Sequence, residues 1–97
     1  GMEGAARRLR VLLRQEGEPK ARVTDQRPFR QLQTRIEYAS GYEAEAWRLA
    51  TRLGGVAIPA HKLFKERGTH LRVVMGKDLR PMLATLPELL ARRPEKA

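Results

Sequence analysis

Two glycine-containing stretches contain residue types that could hold a phosphate or a dinucleotide, but neither has the spacing that the chemistry needs. Gly76-Lys77 resembles the end of a phosphate-binding loop. That loop needs a glycine where this chain has Leu71, and a Ser or Thr where it has Asp78. Gly54-Gly55 lacks the third glycine of a dinucleotide-binding fingerprint and follows a predicted helix instead of a strand. We therefore predict no cofactor.

Three further residues could serve in metal binding or nucleophilic catalysis. His61 and His70 are separated by eight residues, and no second pair of ligands lies at a zinc-like spacing. Ser40 lies between a predicted strand and a predicted helix, as an esterase nucleophile would. The surrounding Ala-Ser-Gly lacks the Gly-x-Ser-x-Gly motif, however, so we interpret Ser40 as a helix cap. The sequence predicts neither a catalytic residue nor a metal ligand, and the protein is not expected to be an enzyme.

Binding of a partner is the chemistry that the remaining candidates favour. We expect the loop over residues 26–33 and the turn at Lys77-Asp78 to flank a groove. The aromatic side chain in that loop should pin it to the core, although an exposed anchor is the alternative. The candidate partner-binding residues are Arg27, Phe29, Arg30, Tyr38, Tyr42, Lys77 and Asp78.

The charge of the chain is compatible with two explanations. Its 97 residues include 20 Lys and Arg against 11 Asp and Glu, a net charge of +9. Such an excess suggests an anionic partner, namely nucleic acid, an acidic polymer or a membrane surface. The alternative is a basic surface in contact only with solvent, in a protein from a GC-rich genome that favours arginine. The chain has no cysteine, so its composition does not indicate a redox compartment.

The segment from Thr34 to Gly55 gives the clearest structural pattern. Thr34, Ile36 and Tyr38 alternate with charged residues, which predicts a half-buried strand. Ser40, followed by Glu43 three residues later, predicts a capping box. An apolar helical face then follows, and Gly54-Gly55 should end the helix. This face comprises Tyr42, Ala46, Leu49, Ala50 and Leu53, with Trp47 expected to cover its edge.

The other elements are shorter, and together they predict an α/β fold. We expect a two-layer sandwich with a mixed sheet of about four short strands, two main helices and a short helical C-terminal segment. Pro59 has no N–H to donate to a neighbouring strand, so it should end the third strand. The predicted elements are a helix at Ala5–Glu16, strands at Lys20–Asp25, Val56–Ile58 and Thr69–Met75, one or two helical turns within His61–Arg67, and helical segments at Leu79–Ala84, capped by Asp78, and Thr85–Arg92.

These segments resemble a known family in their order and spacing. The relevant stretches are RIEYASGYEAEAWRLATRL, then LRVVMGKDL, with DQRPF upstream. Together they resemble the C-terminal domain of LytR/CpsA/Psr-type cell-envelope proteins, in the version attached to tetratricopeptide-repeat proteins of proteobacteria. The family has a Tyr-x-x-Gly turn before an Ala- and Leu-rich helix, here at Tyr38 and Gly41, and a later Gly-Lys-Asp turn, here at Gly76. We expect this domain over residues 4–79 and a helical extension with a frayed tail over 80–97.

The resemblance implies a non-catalytic accessory domain of a cell-envelope protein. It should bind a protein partner or an anionic polymer of the envelope. The resemblance also implies an envelope or periplasmic location. The cytoplasm stays open because the sequence contains no signal peptide, and no apolar run approaches the roughly 20 residues of a membrane span.

The alternative function is a small basic nucleic-acid-binding module with weak, non-specific affinity. It requires the arginines of the first helix to converge on one face with Arg22, Arg27, Arg30 and Arg35.

One departure from the family bears on self-association. Its members usually open with a strand before the first helix, and only Gly1, Met2 and Glu3 stand in that place here. We expect the missing strand to leave an open sheet edge, which is a template for pairing with another chain. The expected outcome is a homo-oligomer formed through that edge, with the segment beyond Leu79 as a second candidate to cover it.

Overall fold

The chain folds into a mixed β-sheet that packs against helices. The computed structural model describes residues 2–18, 20–25, 32–65 and 67–91. The elements in chain order are α1 (Met2–Gln15), β1 (Ala21–Asp25), β2 (Arg35–Tyr38), α2 (Glu43–Arg52), β3 (Ile58–His61), β4 (Leu71–Met75), a 3₁₀ turn (Arg80–Met82) and α3 (Leu86–Ala91). The predicted α/β fold with four short strands is confirmed.

Strand β4 is one of the two interior strands of the sheet. The strand order is β1-β4-β2-β3, with β4 parallel to β1 and antiparallel to β2, and β2 parallel to β3. The sequence of this strand is apolar on both faces near its end, which predicts an interior position. Val73 is 0 % exposed and its neighbour Val74, on the opposite face, is 2 % exposed. That prediction is confirmed.

The core lies between one face of the sheet and the helices. Helix α1 contacts β1, and α2 contacts β2 and β3. The sequence of α1 predicts an apolar face of Ala5, Ala6, Leu9, Leu12 and Leu13, and all five are buried or partly buried against this core. Ala21 and Val23, the apolar positions of β1, also face this core.

Helix α2 buries the predicted face and ends at the predicted glycines. Its first turn contains two glutamates and its last turn Arg52, an order that suits the helix dipole. Gly54 and Gly55 have φ angles of 82° and 77°, in the left-handed region that glycine adopts without strain. The buried residues of the face are Ala46, Leu49, Ala50 and Leu53. Trp47, expected to cover the edge of this face, is instead 57 % exposed.

The start of α2 differs from the predicted capping box. The N-cap residue is Tyr42, which makes no side-chain capping bond, and the helix begins two residues later than a cap at Ser40 would require. Gly41, at a φ of 89°, reverses the chain between strand and helix, and the Tyr42 N–H donates to the Ala39 carbonyl over 3.0 Å. Because this turn occupies the place of the first helical turn, the Ser40 hydroxyl lies instead 3.0 Å from His61 Nε2.

The sequence predicted that Pro59 ends β3, but Pro59 lies inside this strand. The N–H groups of Ile58 and Lys62 donate to the Thr34 and Tyr38 carbonyls of the β2 side at 3.0 and 2.9 Å. Because N–H groups alternate in direction along a strand, the nitrogen of Pro59 points to the outer side of β3. A proline is tolerated there because no ladder bond is lost on an edge strand.

The helical turns predicted within His61–Arg67 are also wrong. His61 belongs to β3, and residues 62–65 are irregular. In such turns the apolar Leu63 and Phe64 would pack inward, but Leu63 is 81 % exposed, whereas Phe64 is partly buried. Because β3 continues through Pro59 to His61, the chain is still an extended strand where the helical turns were predicted to begin.

The C-terminal segment packs against helices. Helix α3 contacts α1, and its residues Leu86 and Leu90 join the single hydrophobic core. Leu79 to Ala84 forms only a short 3₁₀ turn, and its N-cap residue is Leu79 instead of the predicted Asp78. The division at residue 79/80 into a domain and an extension stays a prediction.

The sheet has no internal gap among the described strands. Each strand is hydrogen-bonded to its neighbour in the order given, so the outer sides of β1 and β3 are its two edges. The described residues beyond Leu79, up to residue 91, lie on α1 and near Gly54 at the end of α2, and the covering of a sheet edge by this segment stays a prediction.

A buried carboxylate joins three parts of the chain on the helical side. Glu18, which is 5 % exposed, accepts from Arg48 at 2.5 and 3.0 Å and from Arg52 at 2.6 Å. Arg52 also donates to the Glu16 carbonyl at 2.9 Å and to the Leu90 carbonyl. Burial raises the pKa of Glu18, but the hydrogen bonds and charges of the two arginines outweigh burial and hold the pKa below its usual value.

Leu49→Ala should destabilise the fold by roughly 2–5 kcal/mol, because it opens a cavity at a position that is 0 % exposed. Urea unfolding followed by circular dichroism measures this loss. Trp47→Ala, at an exposed position of the same helix, is the control and should change the free energy of unfolding by less than about 1 kcal/mol. A loss for Leu49→Ala no larger than that of the control would contradict the assigned helix face.

Glu18→Gln should destabilise the fold at neutral pH by about 1–3 kcal/mol, since it removes the charge that satisfies two arginines. The folded-state pKa of Glu18 lies below its unfolded value, so its stabilisation is present above the unfolded pKa and is lost as the pH falls through the folded pKa. The difference in unfolding free energy between the two proteins should therefore shrink on acidification. A difference that is constant from neutral to strongly acidic pH would contradict the ion pair.

Candidate functional site

The face of the sheet turned away from the helices carries most of the strand cations. Alternation along each strand puts Ile36 and Val73 toward the helices and the next residues toward the opposite side, which we call the open face. The strand registers place charged residues side by side, with Arg22 beside Arg72 and Arg72 beside Glu37. The residues of the open face are Arg22, Thr24, Arg35, Glu37, Ile58, Ala60, Arg72 and Val74.

Glu37 lies at the centre of this face beneath three cations. Its carboxylate is 3.4 Å from Arg35, 3.5 Å from Lys62 and 3.9 Å from Arg72, and the Glu37 side chain is 7 % exposed. The sequence pattern suggested an exposed glutamate here, but the long stems of the neighbouring cations cover it. Glu37 therefore holds these cations close together and neutralises part of their mutual repulsion.

The cationic surface extends toward β1 through an aromatic ring and a depression lined by further arginines. Phe64 lies over the open face, with the Arg72 guanidinium carbon 5.1 Å from the centre of its ring. A broad depression of about 580 Å³ lies beside it and is lined by Arg22, Val23, Thr24, Arg67, Thr69 and Arg72. We call Arg22, Arg35, Lys62, Arg67 and Arg72 the basic face.

A second depression lies on the helical side of β1. Its volume is about 270 Å³, and its lining residues are Arg10, Arg14, Glu18, Ala21, Arg22 and Val23. Arg22 and Val23 line both depressions, so the outer side of β1 runs between them. Arginines thus lie on both sides of an edge strand.

Aromatic and imidazole rings gather at the end of the sheet where β2 and β3 finish. Tyr42 stacks on His70 with ring centres 4.5 Å apart, and Tyr38 meets His61 edge to face at 5.7 Å. The Tyr38 hydroxyl donates to Glu43 at 3.3 Å. Burial and the Glu43 carboxylate raise the pKa of Tyr38. The two tyrosines are thereby engaged in contacts within the domain.

The Gly-Lys-Asp turn holds the opposite end of β2. Asp78 Oδ1 accepts from the Thr34 N–H at 3.0 Å and from its hydroxyl at 2.7 Å, and that hydroxyl accepts from the Gly76 N–H at 2.9 Å. A Cβ on Gly76 would lie 2.5 Å from the Gln33 carbonyl carbon, so only glycine fits. Lys77 is exposed between them. The motif is therefore a clamp on the start of β2.

The predicted partner-binding residues separate into groups. Tyr38 and Tyr42 lie at one end of β2, whereas Lys77 and Asp78 lie at the other. Arg27, Phe29 and Arg30 fall outside the described residues, as does the groove that they were expected to flank.

The arginines converge only in part. Arg22 and Arg35 share the open face, and Arg10 and Arg14 meet Arg22 at the outer side of β1. Arg7 and Arg8 are exposed on α1, which packs against the other face of the sheet. The single continuous surface that the nucleic-acid alternative requires is therefore incomplete in the described part of the chain.

Ser40 and His61 have the separation of a nucleophile and its base, at 3.0 Å, but both are exposed, Ser40 in a turn and His61 at the end of β3. Catalysis by such a pair needs a third group that orients the imidazole and a site that excludes water. Within the described ranges, no group of three or more His, Cys, Asp or Glu side chains could hold a metal ion. Among the same residues, no helix is both long and apolar enough to cross a bilayer.

Comparison with known proteins identifies the family. The family model described as "LytR cell envelope-related transcriptional attenuator" matches residues 1–79, more than half of the chain. The chain therefore belongs to the LytR C-terminal domain family, and the resemblance seen in the sequence is confirmed. This is a family of non-catalytic C-terminal domains associated with the cell envelope. The tetratricopeptide-repeat setting stays a prediction. No curated protein and no solved structure matches the chain.

The sequence indicates the orientation of the strand arginines in the basic face, but not that they lie close together. Arg22, Arg35 and Arg72 each occupy the polar phase of a period-two strand pattern. The pattern indicates that each points away from the core, but not that their strands are neighbours. Strand order decides this, and the pairing of β4 with both β1 and β2 brings the three arginines together.

Asp78→Ala should destabilise the fold by about 1–3 kcal/mol, because the buried Thr34 N–H would lose its acceptor. Thermal unfolding measures the effect, and Lys77→Ala is the control from the same turn. We expect the control to unfold at the wild-type temperature. Equal melting temperatures for both variants would show that the clamp does not stabilise β2.

Proposed function

From its membership of this family, we propose that the domain is a non-catalytic binding module of a cell-envelope-associated protein, and that its basic face binds an anionic partner. One observation carries the proposal. Three cations surround the buried carboxylate of Glu37 on the open face of the sheet, and Arg22 and Arg67 line the depression beside them. One buried carboxylate cannot neutralise five cations, so the basic face keeps an excess of positive charge.

The geometry of the basic face supports recognition of a linear anion. Glu37 holds three of the five cations, and one of these, Arg72, also lies over the ring of Phe64. Because these side chains are ordered before binding, less conformational entropy is lost when a ligand binds. Arginine predominates over lysine in the face, and its planar fork suits carboxylates and phosphates.

A second candidate function is the nucleic-acid-binding module. The same basic face would bind phosphates without reading bases, since contacts to the nucleic-acid backbone carry no sequence information directly. Sequence-tolerant binding of single strands also needs aromatic platforms for stacking. Phe64 is the aromatic residue of the described open face, and Arg72 already lies over its ring. This observation favours an envelope polymer or an acidic protein over nucleic acid.

The residues singled out by the sequence extend this proposal. Lys77 is exposed, and the Asp78 N–H donates to the Leu32 carbonyl, next to the loop that contains Arg27, Phe29 and Arg30. We propose that these cations and the aromatic ring form a second contact for the same partner. Tyr42, stacked on His70, would contribute only at the other end of β2.

Self-association through a sheet edge also stays a proposal. The outer side of β3 contains Pro59, which offers no N–H, and the outer side of β1 lies between arginines. Pairing two β1 edges would bring arginines close to arginines, which electrostatic repulsion opposes. A homo-oligomer would therefore form more readily at high salt, which light scattering over a range of concentrations can measure.

Binding to polyanions should be weak, salt-sensitive and independent of base sequence. The test titrates the protein with dextran sulfate and with two duplex DNAs of unrelated sequence at low and moderate salt. Removing two cations in Arg22→Ser/Arg67→Ser should lower the slope of log affinity against log salt by about two. The matched control, Arg7→Ser/Arg80→Ser, loses the same charge outside the basic face and should change the slope less.

Two outcomes would contradict the proposed function. Equal loss of slope in both double variants would show that binding follows net charge and not the basic face. A strong preference for one DNA sequence that survives moderate salt would favour the nucleic-acid module instead.

A further inference from the structure

The main-chain groups of Val23 lie on the outer side of β1. The Ala39 N–H donates to the His70 carbonyl at 2.9 Å, which fixes the alternation along β4. Even-numbered residues of β4 then direct their main-chain groups to β2, and odd-numbered residues direct theirs to β1. In the parallel register of β1 with β4, Arg22 and Thr24 provide the inward groups, so the N–H and C=O of Val23 point outward.

A second bond supports the same orientation. The Ala21 N–H donates to the Glu18 carbonyl at 3.3 Å, in the turn that leads into β1, and not to β4. Val23 is two residues further along, so its N–H has the same direction. Val23 also lines the depressions on both sides of the strand. The outer side of β1 therefore presents a donor and an acceptor of the kind that another strand can pair with.

Among the described residues that line the two depressions beside this edge, the charges are positive with one exception. Arg10 and Arg14 lie on its helical side, Arg67 and Arg72 on its open-face side, and Arg22 lines both depressions. Among the described lining residues Glu18 is the one acid, and Arg48 and Arg52 already neutralise it.

We infer that the outer side of β1 binds an extended acidic polypeptide segment, which adds to the sheet as a fifth strand. The inference rests on the proposed function and names the class of its partner. Successive side chains of an added strand point to opposite faces. Acidic residues at alternate positions would therefore meet the arginines of α1, and those between them would meet Arg67 and Arg72. A continuous run of acidic residues fits both sides at once.

Charge selects this occupant over a second copy of the chain or a nucleic acid. A second copy would bring its own arginine-flanked edge. A nucleic acid would neutralise the arginines, but its phosphates lack the alternating N–H and C=O groups that pair with Val23. Only an acidic polypeptide satisfies both the charges and the main chain, by the mode of recognition in which a peptide extends a sheet edge.

The test uses a ten-residue peptide composed of Glu and Thr with a fluorescent label. A second peptide has the same sequence and charge, but four consecutive central residues are N-methylated. The methyl groups remove the N–H donors in either register. Fluorescence anisotropy at low salt should show at least about tenfold weaker binding for the methylated peptide, because several hydrogen bonds are lost. Hydrogen exchange by NMR provides an independent measurement, since the unmethylated peptide should slow exchange of the Val23 amide.

Matched protein variants test the flanking arginines. Arg10→Glu/Arg22→Glu should weaken binding of the unmethylated peptide at least about tenfold. Arg7→Glu/Arg8→Glu changes the net charge by the same amount on exposed positions outside both depressions and should bind nearly as well as wild type. Circular dichroism of both variants confirms that each is folded.

The outcomes separate this inference from the proposed function. Equal affinities for the two peptides, with dextran sulfate still bound through the basic face, would overturn strand addition and leave the proposed function in place. Binding of neither peptide nor dextran sulfate would overturn both. A dimer that slows Val23 exchange and persists when excess peptide is present, or a duplex DNA that slows Val23 exchange as the peptide does, would show that a different partner occupies the edge and would overturn the inference.

Discussion

The pairing of β4 with strands on both sides is the constraint on which the rest of the structure depends. Central strands must satisfy main-chain groups in both directions, and they bury side chains on both faces. Val73 meets this requirement on the helical side and Val74 on the open face. The same pairing brings Arg72 beside Arg22 and Glu37, and it directs the main chain of Val23 outward. The core and the binding surface thus follow from one strand.

Two buried carboxylates organise the arginines of this very basic chain. Glu18 joins Arg48 and Arg52 of α2 to the turn before β1, and Glu37 gathers cations on the open face. Burying a carboxylate costs free energy unless its partners replace the lost water. Cations at these distances do so, and they are themselves held in place in return. The first carboxylate stabilises the packing of the helices, whereas the second leaves its cations partly exposed and available to a ligand.

The sequence predicted the elements well because most of them have a strong local pattern. Period-two alternation located β2 and β4, and the apolar face of α2 with its two terminal glycines located that helix. The errors occurred where a distant contact decides the structure. Asp78 was predicted to cap a helix, but Thr34, far away in sequence, binds its carboxylate. Pro59 was predicted to end a strand, but an edge position tolerates it. The basic face was missed for the same reason, because strand order is not a local property.

The two edges of the sheet differ in a way that bears on partner choice. An exposed strand edge pairs readily with other chains, and proteins limit this with proline or with charge. The β3 edge has Pro59, which removes a donor and so disfavours every partner strand equally. The β1 edge keeps the main-chain groups of Val23 and is flanked by arginines instead. Charge is selective where proline is not, because it opposes basic or identical strands and attracts acidic ones. The edge that is protected by charge is therefore also the edge that can recognise a partner.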